Sequence, residues 1–327
     1  MKPRWGIVGT GGISRTTVGD LHLTENVDLV AVASRTAAAA EAFATEHGVP
    51  RWHGSYEALF ADDGVDVVYI GTPIGTHAEV ARAALLAGKH VLLEKAFTTT
   101  GGEARELAAL AAAQGRFLME AMWMRFNPVI RRLLAEVADG VVGDVRTVQA
   151  SFGFPPPPGA IHWRQDLGGG ALLDMGVYPL TFAQLLLGEP GSVEATGEVR
   201  GDGLDLTASV HLRYGDGRFA ALLTSLRGFV GAGATVGGST GAIEVGPLFL
   251  TPERFTVLRP PFRAPRTVSE PREGNGYVPM FRAVGDAVAD GLLEHPERPL
   301  HDTIAVLDVI DEVRRQLTAT AGGAARG

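Results

Sequence analysis

Residues 4–14 read RWGIVGTGGIS, and the fold turns on how that run is parsed. RWGIVG is a short apolar strand ending at Gly9; a helical pattern opens directly behind it over 12–23. In the template G-x-G-x-x-G the first glycine permits a tight turn. The second lets the main chain approach a pyrophosphate, which then rests on the helix N-terminus. Gly9 and Gly11 fill the first two positions, Gly12 follows, and Ser14 stands where the third glycine would be. Serine is small enough for helix–strand packing to survive. A strand before and a helix after supply the context this motif requires. Gly9, Thr10, Gly11, Gly12 and Ile13 are therefore expected to bind a dinucleotide; the alternative is a glycine-rich loop that serves chain geometry alone.

Outward from that turn, apolar strands are predicted at 27–34, 65–71, 90–94 and 116–121, with helices at 37–47, 55–61, 76–87 and 101–114. Several of these helices are closed by glycine, as at Gly48, Gly88 and Gly115. Continuous apolar strands separated by helices mean a parallel sheet covered on both faces. After about residue 122 the pattern changes. An amphipathic helix with Pro128 near its start is followed by alternating strands at 144–154, 193–200, 204–214, 217–227 and 234–246, then helices at 277–291 and 301–320. The fold class expected is α/β, an N-terminal Rossmann domain over 1–121 joined to an α+β domain with a mostly antiparallel sheet over 122–321. Residues 322–327 read as a flexible tail.

The chain has 327 residues, 46 % hydrophobic and 20 % charged, with a net charge of −8. That balance argues against a nucleic-acid or anionic membrane surface. No cysteine is present, which removes disulfides, thiolate catalysis and cysteine-ligated metals. The start MKPRWGIVG has no apolar signal core, and no uninterrupted apolar run is long enough to cross a bilayer. A cytoplasmic protein is expected. The nine histidines show no ligand spacing, so no metal is expected. Only three lysines occur, Lys2, Lys89 and Lys95.

The second strand should end on the residue that reads the adenosine ribose, and an acid there would bind the 2′-hydroxyl of NAD. Here it ends ASRT, with no acid. Ser34, Arg35 and Thr36 suit a 2′-phosphate, because arginine's donors form a planar fork. NADP(H) is expected over NAD(H), which stays possible if Arg35 merely stacks on adenine. Ligands bind beyond the carboxyl ends of such strands, which aims Thr72, Pro73, Glu94 and Lys95 at the cofactor; His77 opens the next helix and is a weaker candidate. Residues 168–179, GGGALLDMGVYP, place Asp174 and Tyr178 four apart, on one face of a helix, with Pro179 expected to kink it.

In order, GIVGTGGIS, ASRT, VYIGTP…H, GKHVLLEKAF and GGGALLDMGVYP resemble the glucose–fructose oxidoreductase/inositol dehydrogenase (Gfo/Idh/MocA) family over nearly the whole chain. FLMEAMWMRFNP (117–128) and the glycine segment look most like its dimeric trans-dihydrodiol dehydrogenase and NADP-dependent D-xylose 1-dehydrogenase branch. The resemblance implies a Rossmann domain and a C-terminal domain with a large open sheet that often forms a homodimer or homotetramer interface. It implies that Lys95 is the signature lysine of E-K-P, with Ala96 replacing the proline, and that Asp174 and Tyr178 match D-x-G-x-H/Y. It also implies that Trp163, Arg164 and Tyr277 approach the cofactor. Ile74 replaces the asparagine of T-P-N, so that contact is absent.

Tyr178 is thus expected to be the acid/base, with Lys95 its electrostatic partner, since a nearby ammonium favours phenolate over a phenol of pKa ~10. Asp174 is expected either to orient a substrate hydroxyl or to hold Lys95. The resemblance implies a sugar, polyol or cyclic diol as substrate, and Arg125, Asn127 and His162 are expected to line its pocket. Two rivals are a non-catalytic NADP-binding sensor on the same fold and a methyltransferase; the latter wants the acid that ASRT lacks.

Overall fold

The computed structural model describes residues 2–259 and 263–324. The chain forms two compact units, Met1–Asn127 with Arg272–Ile304 and Pro128–Pro271 with Ala305–Gly327.

In the first unit β1 (Arg4–Val8) runs through the glycine turn into α1 (Gly12–Leu23). Then come β2 (Asp28–Ala33), α2 (Ala37–His47), β3 (Arg51–His53), α3 (Tyr56–Phe60), β4 (Val67–Ile70), α4 (His77–Leu86), β5 (His90–Leu93), α5 (Gly101–Gln114) and β6 (Leu118–Glu120). The six strands are parallel in the order β3-β2-β1-β4-β5-β6. The direction of winding reverses between β1 and β4, which opens a crevice at their carboxyl ends. All of Val67–Ile70 is fully buried, as an apolar run covered on both faces must be. β3 has no counterpart in the sequence reading; three residues are too few to show a period.

In the second unit α6 (Pro128–Ala138) precedes β7 (Val145–Gly153). A π-helical turn, Leu172–Gly176, leads into α7 (Val177–Leu187). Strands β8 (Ser192–Val199), β9 (Asp205–Arg213), β10 (Phe219–Ser225), β11 (Ala234–Gly238), β12 (Ala242–Val245), β13 (Arg254–Arg259) and β14 (Arg263–Ser269) complete an eight-stranded sheet ordered β14-β13-β12-β11-β7-β10-β9-β8. Every pair is antiparallel except β7 with β10. The single strand expected over 234–246 is a hairpin, because Ser239, Thr240 and Gly241 turn the chain between β11 and β12. α8 (Val278–Ala289) and α9 (Leu300–Ala324) follow. The tail expected over 322–327 is helical as far as Ala324, and its last three residues lie outside those described.

The stretch Gln165–Leu187 corrects one expectation, since by length and composition it could cross a membrane. Its most apolar window is 78 % buried inside the protein, where a core segment reaches the same hydropathy.

Residues 272–304 close the first unit through buried polar groups. Asp20 on α1, 1 % exposed, accepts the amides of Asn275 and Tyr277, each at 2.8 Å. Phe281 packs edge-on against Trp5 and Tyr69 at 5.9 and 5.5 Å. Glu120 at the end of β6 and Arg298 are each 1 % exposed and pair at 2.5 Å; Thr303 donates to the same carboxylate oxygen at 3.2 Å. Lys89 is buried, donating its ammonium to the carbonyls of Asp62 and Val65 at 2.8 and 2.7 Å.

Removing one member of a buried pair leaves the other charge unmatched, at a cost of about 3–5 kcal/mol. Arg298→Ala should lower the unfolding free energy by that much in urea titrations. A loss below about 1 kcal/mol would show that Glu120 finds other partners.

Candidate functional site

The candidate residues fall into two clusters, one in each unit. In the first, Gly9 has φ +97, and a Cβ added there would lie 3.1 Å from the Gly71 carbonyl oxygen, so only glycine fits. Gly11 is the N-cap of α1, and no side chain caps it. A Cβ added at Gly12 would meet nothing within 4 Å. The helix therefore offers main-chain amides with no capping side chain beside open space, which fits a pyrophosphate. Ile13 is half-buried. Ser14 is fully buried, its hydroxyl unpartnered and 3.0 Å from where a Cβ on Gly71 would stand. Gly71, across the turn, thus provides the room that a third glycine would have given.

At the end of β2, Thr10 and Ser34 share a hydroxyl hydrogen bond at 3.1 Å. Arg35 is exposed. Thr36, grouped with them from the sequence, accepts from the Ala39 amide at 3.3 Å and serves as the N-cap of α2. Tyr56, which the sequence reading passed over, lies near the Arg35 charge: burial raises its pKa while Arg35 pulls it down.

Past β4 and β5 the side chains are tied to main chain. Thr72 is buried, and Pro73 precedes a short 3₁₀ turn, Ile74–Thr76. Glu94, 4 % exposed, accepts the Tyr69 hydroxyl at 2.7 Å and the Lys95 amide at 3.1 Å. Burial pushes its carboxyl up to about 7 and, with the Glu94 charge, raises the Tyr69 phenol well above its usual value. Lys95 is half-buried, and the Lys95–Ala96 peptide is cis. His77, expected at the cofactor, is fully buried with its ring nitrogens 2.9 Å from the Thr72 carbonyl and 3.0 Å from that of Ala96. Tyr277 stacks on Trp123 at 4.4 Å. Arg125, expected to line the substrate, is tied to Glu297 through its carbonyl at 3.0 Å and its carboxylate at 2.9 Å; Asn127 is 2 % exposed.

In the second unit the three glycines before the π-turn are buried. Gly170 has φ +127, and a Cβ there would come within 2.7 Å of the Asp205 carboxylate. Asp205, 2 % exposed, accepts the Leu172 amide at 2.6 Å and Arg314 at 3.2 Å, while Thr224 donates to the Ala171 carbonyl at 3.1 Å. These contacts set where Asp174 and Tyr178 begin. The π-turn interrupts the regular helix, so the two are not simple i, i+4 neighbours. Pro179 stands three residues into α7, directly behind the π-turn, where the helical ladder already departs from the i→i−4 bonds that its missing amide would have joined.

Tyr178 is 4 % exposed, with Phe152 edge-on at 5.8 Å, Phe154 next to that ring at 6.0 Å, and His162 beyond it at 6.3 Å. The His162 Nε2 stands 3.9 Å from the Asp174 carboxylate. Trp163 donates to the Pro156 and Pro157 carbonyls at 3.2 Å, securing the proline loop. Arg164, expected at the cofactor, is exposed and paired with Asp166 at 2.6 Å. A phenol, a carboxylate and an imidazole beside aromatic rings suit a hydroxylated ring with an apolar face. Phe152 and Phe154 escaped the sequence reading because a strand's alternation marks them only as sheet residues. Asp20 and Asp205 escaped it because their partners lie far along the chain.

Residues 3–122 match the model of an oxidoreductase family with an NAD-binding Rossmann fold, and residues 130–244 match the GFO/IDH/MocA C-terminal domain. The chain is 34 % identical to a trans-1,2-dihydrobenzene-1,2-diol dehydrogenase of Mus musculus and 35 % identical to that of Sus scrofa, covering 98 % of each chain in both cases. Among solved structures, a 3-ketoreductase from Actinomadura kijaniata, in complex with NADP and TDP-benzene, is 31 % identical with a TM-score of 0.86, over 97 % of this chain and 98 % of that one. An aldose-aldose oxidoreductase from Caulobacter crescentus complexed with glycerol is 25 % identical with a TM-score of 0.88, over 98 % of each.

Glu94 generates a stability prediction. Its folded pKa of about 7 lies above the ordinary carboxyl value near 4.5, so the folded protein holds the proton more tightly. Its contribution to stability is full below pH ~4.5 and is lost as pH rises toward ~7, by about 3 kcal/mol. Urea titrations from pH 4.5 to 7.5 should show that slope in the native protein relative to Glu94→Gln. Parallel curves for the two would mean that folding leaves the Glu94 pKa unchanged.

Proposed function

Because the chain belongs to the GFO/IDH/MocA oxidoreductase family, we propose that it is an NADP-dependent oxidoreductase acting on a carbinol or carbonyl carbon of a sugar, polyol or cyclic diol. The observation that carries this reading is its end-to-end likeness to enzymes named for a dihydrodiol substrate. Bound nicotinamide supplies the hydride chemistry; the chain supplies binding, orientation and proton transfer. The amides of Gly11, Gly12 and Ile13 hold the pyrophosphate, with Gly9 and Thr10 shaping the turn. Ser34 and Arg35 receive the 2′-phosphate. Thr72, Pro73, Glu94 and Tyr277 border the rest of the cofactor.

Tyr178 exchanges the proton of the reacting hydroxyl, and Lys95 assists by favouring the phenolate. Asp174 and His162 orient a substrate hydroxyl, and Phe152 and Phe154 cover a C–H face of its ring. The solved variants of the 3-ketoreductase, which alter one tyrosine or one lysine, support attention to that pair. The presence of both Lys95 and Tyr178 favours an enzyme over a non-catalytic sensor. The reading also takes the protein as a cytoplasmic homodimer or homotetramer formed through the second sheet, where Ser151, Ser209, Ala221 and Leu223 are partly exposed.

A panel of sugars, inositols and vicinal diols with NADP, and of the matching carbonyls with NADPH, tests the reaction class. Tyr178→Phe should cut turnover on the best substrate by about 10²–10⁴-fold with NADPH affinity unchanged; turnover within a factor of three of native would remove Tyr178 from the chemistry. Arg35→Ala should weaken NADPH binding at least ~10-fold while leaving NADH nearly unaffected, which fluorescence titration would measure. Equal losses for the two cofactors would assign Arg35 to the adenine instead.

A further inference from the structure

His77 opens α4 and is fully buried. Its Nε2 lies 2.9 Å from the carbonyl oxygen of Thr72, at the end of β4. Its Nδ1 lies 3.0 Å from the carbonyl oxygen of Ala96 and 3.3 Å from that of Phe97, in the loop after β5. One imidazole therefore touches the loop that borders the cofactor and the loop that carries Lys95. Main-chain carbonyls only accept, so the ring must donate wherever a bond forms. Lys95 precedes Ala96 directly, and its own amide donates to Glu94 at 3.1 Å. The main chain around Lys95 is thus pinned on one side by Glu94 and on the other by His77. If either pin is lost, a buried main-chain group must find another partner, and the loop moves to do so.

We propose that His77 is a positioning residue that, through its Nδ1–H, straps the Lys95 loop to the start of α4 and thereby fixes where the lysine ammonium sits. The inference rests on the proposed role of Lys95. Burial lowers the pKa of His77, and the neutral ring has one N–H. That proton belongs on Nδ1, which faces two carbonyls, with the Lys95 ammonium the nearby charge on the same loop.

Asparagine and glutamine separate the roles of the two ring nitrogens. An asparagine amide reaches the Nδ1 position, whereas a glutamine amide reaches that of Nε2. His77→Leu should lower kcat by about 10–100-fold, the scale of a displacement near 1 Å. Its Kd for NADPH should stay within about threefold, and the loss should persist well below the variant's Tm. His77→Asn should recover most of kcat; His77→Gln should not. The proposal fails if His77→Leu keeps kcat within about threefold of native, if Asn and Gln behave alike, or if the losses follow the unfolded fraction. Should His77→Leu not fold, the Asn and Gln variants alone decide. Lys95→Met separates the two levels. An inactive Lys95→Met beside an active His77→Leu overturns the strap alone, and an active Lys95→Met overturns the role of the lysine.

Discussion

The carboxylate of Glu120 sits at the end of β6 with 1 % of its surface exposed, and its partner Arg298 lies 178 residues further along the chain. An ionised carboxylate kept from water without a partner costs several kcal/mol, so the sheet of the first unit is complete only once residues 272–304 have returned to it. Asp20 imposes the same condition from α1, because the amides it accepts belong to Asn275 and Tyr277. A parallel sheet already depends on contacts distant in sequence. Here the last of them come from beyond the whole eight-stranded sheet of the second unit. The glycine turn is encoded near the start of the chain, whereas the stacked pair of Trp123 and Tyr277 joins residues 154 positions apart.

The parallel half of the fold was open to reading because each strand is a continuous apolar run and most helices carry their own stop signal, as Gly48 and Gly115 do by taking the left-handed C-cap position. The second sheet was harder. β14 is the edge strand and contains Pro265, and proline speaks against a strand from sequence alone. At an edge it is tolerated, since an outward amide has no ladder to serve. The parallel pairing of β7 with β10 leaves no local mark, because both strands alternate as antiparallel ones do.

The candidate site divides along the same line. Glycines, Ser34, Arg35, Lys95, Asp174 and Tyr178 belong to short motifs whose spacing suggests their chemistry from sequence alone; what the sequence could not show is the neighbours that the fold gives them, such as Ser14 against Gly71 or Phe152 against Tyr178. His77 is a weak cofactor candidate from its place at a helix start, Arg164 a cofactor contact implied by the resemblance, and Arg125 a substrate-lining candidate. In the structure each has protein partners: main-chain carbonyls, Glu297 and Asp166 respectively. Residue type announces what a side chain can bind. Only the fold tells whether that capacity is already spent, and on which neighbour.

The burial of Lys89 has a practical side. With its ammonium held by two carbonyls of the loop between α3 and β4, it is shielded from reagents, and the chain has only two other lysines, exposed Lys2 and half-buried Lys95. Most cationic side chains are arginines, which acylating agents leave alone. An amine-directed reagent therefore meets a nearly blank protein. It would mark the chain terminus, Lys2 and the one lysine bordering the candidate site, so covalent labelling of Lys95, and its shielding by bound ligand, can be followed in the native sequence without removing any competing amine.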